Sequence, residues 1–160
     1  MFNHQKNELT ALCEQALRLA KQGGATAAEA DLSESVGQDV QVRLGEIEQI
    51  EYQQDKSLDI TVYVGQRKGR ASTADFSAQA LADTVRAALD IARYTAADDC
   101  AGLADAELMA TEFRDLDTYH EWPLSTETAT ALAQQCEQVA LAAHTRIQYS
   151  QGTGRHDRPF

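Results

Sequence analysis

Apolar side chains at Leu9, Leu12, Cys13, Ala16, Leu17 and Ala20 recur with a helical spacing, which predicts an amphipathic helix with one buried face. Gly23-Gly24 then predicts its end. From Ala27 the period changes from 3.6 to 2. Val40, Val42 and Leu44 alternate with polar residues, and Gly45-Glu46 reads as a turn. Ile47, Ile50 and Tyr52 follow out of strict phase, which predicts a bulge or register shift. The clearest strand is SLDITVYV, where Leu58, Ile60, Val62 and Val64 share the core face and Asp59, Thr61 and Tyr63 the other. GQRKG (65–69) reads as a glycine-bracketed turn and RASTADF (70–76) as a returning strand.

Ser77 is placed to cap a second helix whose stripe is Leu81, Val85, Ala88, Leu89 and Ala92. Residues 95–119 have no steady period and read as an acidic connection with one helical turn near Glu107–Ala110. Ser125 is placed to cap a third helix, with Leu132, Cys136, Val139, Ala140 and Ala143 as its apolar side. A short strand is expected at Arg146–Ser150. The polar, glycine-containing end at 151–160 reads as a disordered tail to a domain spanning 1–150. Strands joined by short turns favour antiparallel pairing. The fold class expected is therefore α+β: a meandering, mostly antiparallel sheet with helices packed on one face.

Charge narrows the partners. The 160 residues carry 14 Lys+Arg against 25 Asp+Glu, a net charge of -11, and that field repels a phosphate backbone, so direct nucleic-acid binding is not expected. The N-terminal residues do not form a secretory signal, and no apolar run is long enough to span a bilayer. A soluble, cytoplasmic protein is expected, with no membrane contact. Cys13, Cys100 and Cys136 form no CxxC pair, which argues against a disulfide framework or a zinc knuckle. Cys13 and Cys136 lie on the two apolar stripes and are expected to be small core residues.

HEWPL (120–124) opens as a zinc-peptidase helix does, but such a helix needs a second His four residues on. Position 124 is Leu, and Pro123 would break the turn that presents the pair. Trp122 is expected to pack down before the third helix. His4, His144 and His156 are too scattered to supply local ligands, and carboxylates such as Asp115 and Asp117 are frequent enough to pair by chance. No GxSxG elbow or phosphate-binding glycine loop occurs. A basic group in this acidic chain, Arg67, Lys68 and Arg70, sits on the hairpin that also carries Tyr63.

The strings GATAAE, RLGE (43–46), TVYVGQRKGRASTAD, ARYTAADD and DLDTYH together resemble the N-terminal domain of the TldD/PmbA family over about residues 22–150. DLDTYH is closer to the PmbA (TldE) branch. The resemblance implies a subunit of a heteromeric zinc peptidase acting on unfolded or short peptides. The family's metal motif belongs to the C-terminal half of the TldD partner. Zinc is therefore expected in a TldD-like subunit, and no catalytic residue, metal ligand or cofactor in this chain. The matching stretch gives way after RIQYSQGTG to RHDRPF. The expected partners are a TldD-like subunit and unfolded peptides, contacted through Tyr63, Arg67, Lys68 and Arg70. The alternative the family's older label implies is a stand-alone interaction module for DNA gyrase or a toxin–antitoxin protein.

Overall fold

The computed structural model describes residues 5–112, 116, 117, 120 and 122–159. Its elements run α1 (Lys6–Gln22), β1 (Ala27–Arg43), β2 (Glu46–Val64), β3 (Arg67–Thr73), α2 (Ala78–Tyr94), a 3-10 turn at Ala106–Leu108, α3 (Thr126–Ala143) and β4 (Gln151–Pro159). The strands form one sheet in the order β3-β2-β1-β4, with β2–β3 and β1–β4 antiparallel. This is the α+β arrangement the patterning predicts.

Both hairpins turn in two residues. Leu44 and Gly45 both have positive φ (51° and 84°), the form of a type I′ turn, while Gly65 at φ 60° stands first in the other turn, as type II′ requires. The predicted five-residue turn at 65–69 is therefore shorter, and β3 already begins at Arg67. β2 runs unbroken through the out-of-phase positions. Ile47, Ile50 and Tyr52 are 50%, 40% and 71% exposed, so no core holds them to strict alternation.

The chain divides into two compact units, residues 1–34 with 55–113 and residues 35–54 with 114–159. In the first, Leu58, Ile60 and Val62 bury one face of β2 against Ala16 and Ala20 of α1 and Leu81, Val85, Ala88, Leu89 and Ala92 of α2. Each fully buried large aliphatic side chain contributes about 1.5–3 kcal/mol. α2 starts at the predicted Ser77, whose Oγ accepts the Ala80 N–H. It lies directly on β3: a Cβ on Gly69 would come within 2.1 Å of the Ala88 carbonyl oxygen. Cys13 is half-buried here, and burial, reinforced by Asp31, raises its thiol pKa.

The second unit departs from expectation in two ways. The tail expected at 151–160 is strand β4, paired with β1 from Arg43↔Gln151 to Ser35↔Pro159. The unpaired side of β1 offers it a ladder, and its glycines let it pass under α3. A Cβ on Gly152 would meet the Ala133 carbonyl oxygen at 2.2 Å. The strand expected at Arg146–Ser150 is not formed; pairing begins at Gln151. Second, α3 buries Ala129, Ala133 and Glu137, about a quarter turn from the predicted stripe at 100° per residue. Leu132 and Val139 are 39% and 73% exposed, and Cys136 is exposed rather than in a core. Close approach to a strand selects small side chains over large ones, so the alanine face wins. Trp122 is 51% exposed instead of packed down.

Candidate functional site

Antiparallel alternation divides the basic group of the β2–β3 hairpin between two faces. Arg67, like Gly69, looks toward α2, and its guanidinium donates to the Arg93 carbonyl at 2.9 Å, near the helix C-terminus. That orphan carbonyl end favours a cation. Lys68 and Arg70 stand on the opposite face beside their register partners Tyr63 and Thr61. Of the four residues singled out from sequence, the fold brings together Tyr63, Lys68 and Arg70 and sends Arg67 elsewhere.

Arg70 is engaged, donating from Nε and Nη2 to Asp59 Oδ1 at 3.1 and 2.8 Å. These hydrogen bonds, with a further one from Ser57, hold the Asp59 carboxyl below its usual pKa. Tyr63 is 4% exposed, so it supports the surface rather than presenting itself. Its hydroxyl donates to Glu29 Oε1 at 3.2 Å. Burial first, then the Glu29 charge and hydrogen bond, raises its pKa. The Lys68 ammonium lies 5.9 Å from the Tyr63 ring centroid, within cation–π range. No salt bridge to Lys68 occurs among the described residues, so it is the cation of this face left available.

Lys68 borders two depressions. One, about 310 Å³, is lined by Glu29, Asp31, Asp59, Thr61 and Arg70. The other, about 270 Å³, is lined by Tyr63, Asp98 and Cys100. Sequence reasoning missed Glu29 and Asp31, although a signal existed: Ala28, Ala30 and Leu32 pack on the core, so the intervening residues must face outward.

Backbone geometry adds a second feature. Val64 and Arg67 flank the two-residue turn and form a hydrogen-bonded pair; Val62 with Gly69, Ile60 with Ala71 and Leu58 with Thr73 follow in register. The N–H and C=O groups of Lys68, Arg70 and Ser72 therefore point away from β2. β3 is an edge strand, and none of these three residues enters a backbone hydrogen bond of a turn, loop or cap among the described residues.

His120 and Trp122 are exposed, while Glu121, His4 and Asp115 lie outside the described residues. Among the described residues no group of three His, Cys, Asp or Glu side chains is arranged to hold a metal ion. No described helix is long and apolar enough to cross a membrane.

Residues 28–92 match the family model described as PmbA/TldA metallopeptidase domain 1. The chain is 47% identical over 152 residues to a metalloprotease PmbA homolog of Haemophilus influenzae, covering 95% of this chain and 34% of that protein. It is also 47% identical over 148 residues to metalloprotease PmbA of Escherichia coli O157:H7, covering 92% and 33%. It thus spans about a third of the length of these curated relatives. A solved structure from Bacteroides thetaiotaomicron, described as a candidate modulator of DNA gyrase, superposes with TM-score 0.86 at 20% identity, over 96% of this chain and 36% of that one. TldE from Thermococcus kodakarensis superposes with TM-score 0.58 at 14% identity, over 92% and 34%. At such identities these two establish the fold. Sequence match, domain match and fold agree: the chain belongs to the PmbA/TldD metallopeptidase family, as an N-terminal domain nearest the PmbA branch.

Proposed function

We propose that this chain is the N-terminal domain of a PmbA-type subunit that works with a metal-bearing TldD-like partner in processing unfolded peptides. It holds and guides peptide, while the partner supplies the metal chemistry. The supporting observation is the open β3 edge, where the backbone groups of Lys68, Arg70 and Ser72 face outward beside an available ammonium at Lys68. An extended peptide can add to such an edge through main-chain hydrogen bonds that read no sequence, which suits varied unfolded substrates. Lys68 then offers a carboxylate of the peptide or of the partner a counter-charge.

The test uses the full-length subunit with its TldD-like partner. Ser72→Pro removes an outward donor and leaves the β2 ladder intact, and Lys68→Glu reverses the counter-charge. Each is expected to slow cleavage of an unfolded peptide by about tenfold, the equivalent of one lost hydrogen bond or ion contact, without lowering the melting temperature. Unchanged cleavage and assembly in both variants would refute the reading. Capture of DNA gyrase or a toxin–antitoxin protein by the purified chain, with no TldD-like protein, would favour the interaction-module alternative instead.

A further inference from the structure

We infer that the depression between β1 and β3, on the outward face of the sheet, is a binding site for a small zwitterion. The ligand carries an α-ammonium and an α-carboxylate on one short molecule, a free amino acid or a dipeptide. The floor of the depression is Thr61 of β2, which is 7% exposed. Its hydroxyl enters no side-chain hydrogen bond among the described residues. No enclosed side-chain oxygen or nitrogen among those residues lacks a partner, so this hydroxyl opens into the space of about 310 Å³ that Thr61 lines. A threonine buried on every other side thus offers that space one donor and two acceptor positions. Convergent polar groups in a concavity are what a small ligand requires.

The charges around Thr61 select the ligand. On β1, Glu29 and Asp31 are exposed carboxylates, and neither has a cation partner among the described residues. Glu29 uses one oxygen, Oε1, on the Tyr63 hydroxyl. On β3, the Lys68 ammonium is drawn to the Tyr63 ring, 5.9 Å from its centroid, and does not fall onto Glu29. Between the two walls Arg70 and Asp59 close on each other at 2.8 Å. With β2 between them, β1 and β3 stand about 9–10 Å apart. A lone cation would meet repulsion from Lys68, and a lone anion repulsion from two carboxylates. A molecule with both charges satisfies both walls and reaches the Thr61 hydroxyl between them. The volume lies at the small end of ligand sites, which suits one or two residues. Lys68 also borders the β3 edge proposed to take peptide, but Thr61, Glu29 and Asp31 belong to this depression, and the inference stands without that reading.

The test titrates this chain with L-alanine and L-alanyl-L-alanine, and with N-acetyl-alanine and alaninamide, which each keep one charge. Amide chemical shifts in NMR report both affinity and location. The expected result is saturable binding of a zwitterion with Kd of about 1 mM or tighter, with shifts confined to 29–31, 59–61 and 68–70. Tighter binding of alanine would assign a free amino acid, and tighter binding of alanyl-alanine a peptide product. Blocking either charge should weaken binding about tenfold. Thr61→Val keeps the shape and should weaken it about fivefold; Asp31→Asn and Lys68→Met should each weaken it about tenfold, at unchanged melting temperature. Ser72→Pro, which alters the β3 edge, should bind the zwitterion as wild type does. No saturable binding up to about 10 mM would overturn the inference. So would equal binding of alaninamide, which would leave only a cation-attracting patch, or wild-type affinity in Thr61→Val. Loss of binding in Ser72→Pro would move the ligand to the edge and also overturn it.

Discussion

Glu137 offers the sharpest test of the packing described here. Its side chain is 1% exposed, and its two carboxylate oxygens accept the backbone N–H groups of Leu44 and Gly45, each at 2.6 Å. Gln134, one turn earlier on α3, donates to the Gly45 carbonyl at 2.8 Å. The helix thereby grips both sides of a turn that places a leucine in left-handed backbone, a conformation costing about 1–2 kcal/mol for a non-glycine residue. Hydrogen bonds to a charged group contribute about 1.5–3 kcal/mol each. Glu137→Gln keeps the shape but turns an NH2 group toward one of the two donors, so one bond is lost and a donor faces a donor. The expected loss is about 2–3 kcal/mol, and for a chain of this size about 4–12 °C in melting temperature. Glu137→Ala should lose at least as much, since it removes both bonds and leaves a void. Thermal and urea denaturation followed by circular dichroism measures both. A loss below about 0.5 kcal/mol for Glu137→Ala, the size of an ordinary surface substitution, would refute the idea that this carboxylate holds the turn.

Three further outcomes follow from the same packing. Leu44→Asn should stabilise the chain by up to about 1 kcal/mol in the same assay, because asparagine tolerates the left-handed conformation that a type I′ turn imposes. Gly69→Val should destabilise by about 3 kcal/mol or more, or prevent folding, because even a Cβ would stand 2.1 Å from the Ala88 oxygen of α2; near-native melting would show that α2 does not rest on β3. Asp59 predicts a pH effect: its lowered folded pKa adds stability that is in place above the unfolded value near pH 4 and is lost as pH falls through the folded value. Arg70→Ala removes the principal cause of that shift, so the variant should lose less stability than wild type on acidification; parallel acid curves would contradict the pairing.

How much of this was legible in the sequence depends on what each element packs against. Leu58, Ile60 and Val62 alternate because one face of β2 meets two helices, and the α2 stripe recurs at helical spacing for the same reason. Both patterns read correctly. α3 misled because hydrophobicity and fit point to different faces: its larger apolar residues lie on one side, while contact with β4 requires the alanines at 129 and 133. Glu137, polar and isolated, gave no sign of burial, since its partners Leu44 and Gly45 are distant in sequence. β4 was missed because a polar, glycine-containing stretch carries no hydrophobic period; its pairing comes from the unpaired side of β1. At the candidate site, alternation alone places Tyr63 on the face opposite the core. Applied one strand further, it would have separated Arg67 from Lys68 and Arg70. The burial of Tyr63 was not readable, because the residues around it come from a distant connection, among them Asp98 and Cys100.

The central functional claim is that the free edge of β3 takes up an extended peptide. Amide hydrogen exchange, resolved residue by residue in the full-length subunit with and without an unfolded peptide, addresses it most directly. The account predicts new protection at the amides of Lys68, Arg70 and Ser72, with Val62, Gly69 and Ala71 unchanged because their N–H groups are already paired. Protection that appears elsewhere and leaves those three amides exchanging freely would contradict it.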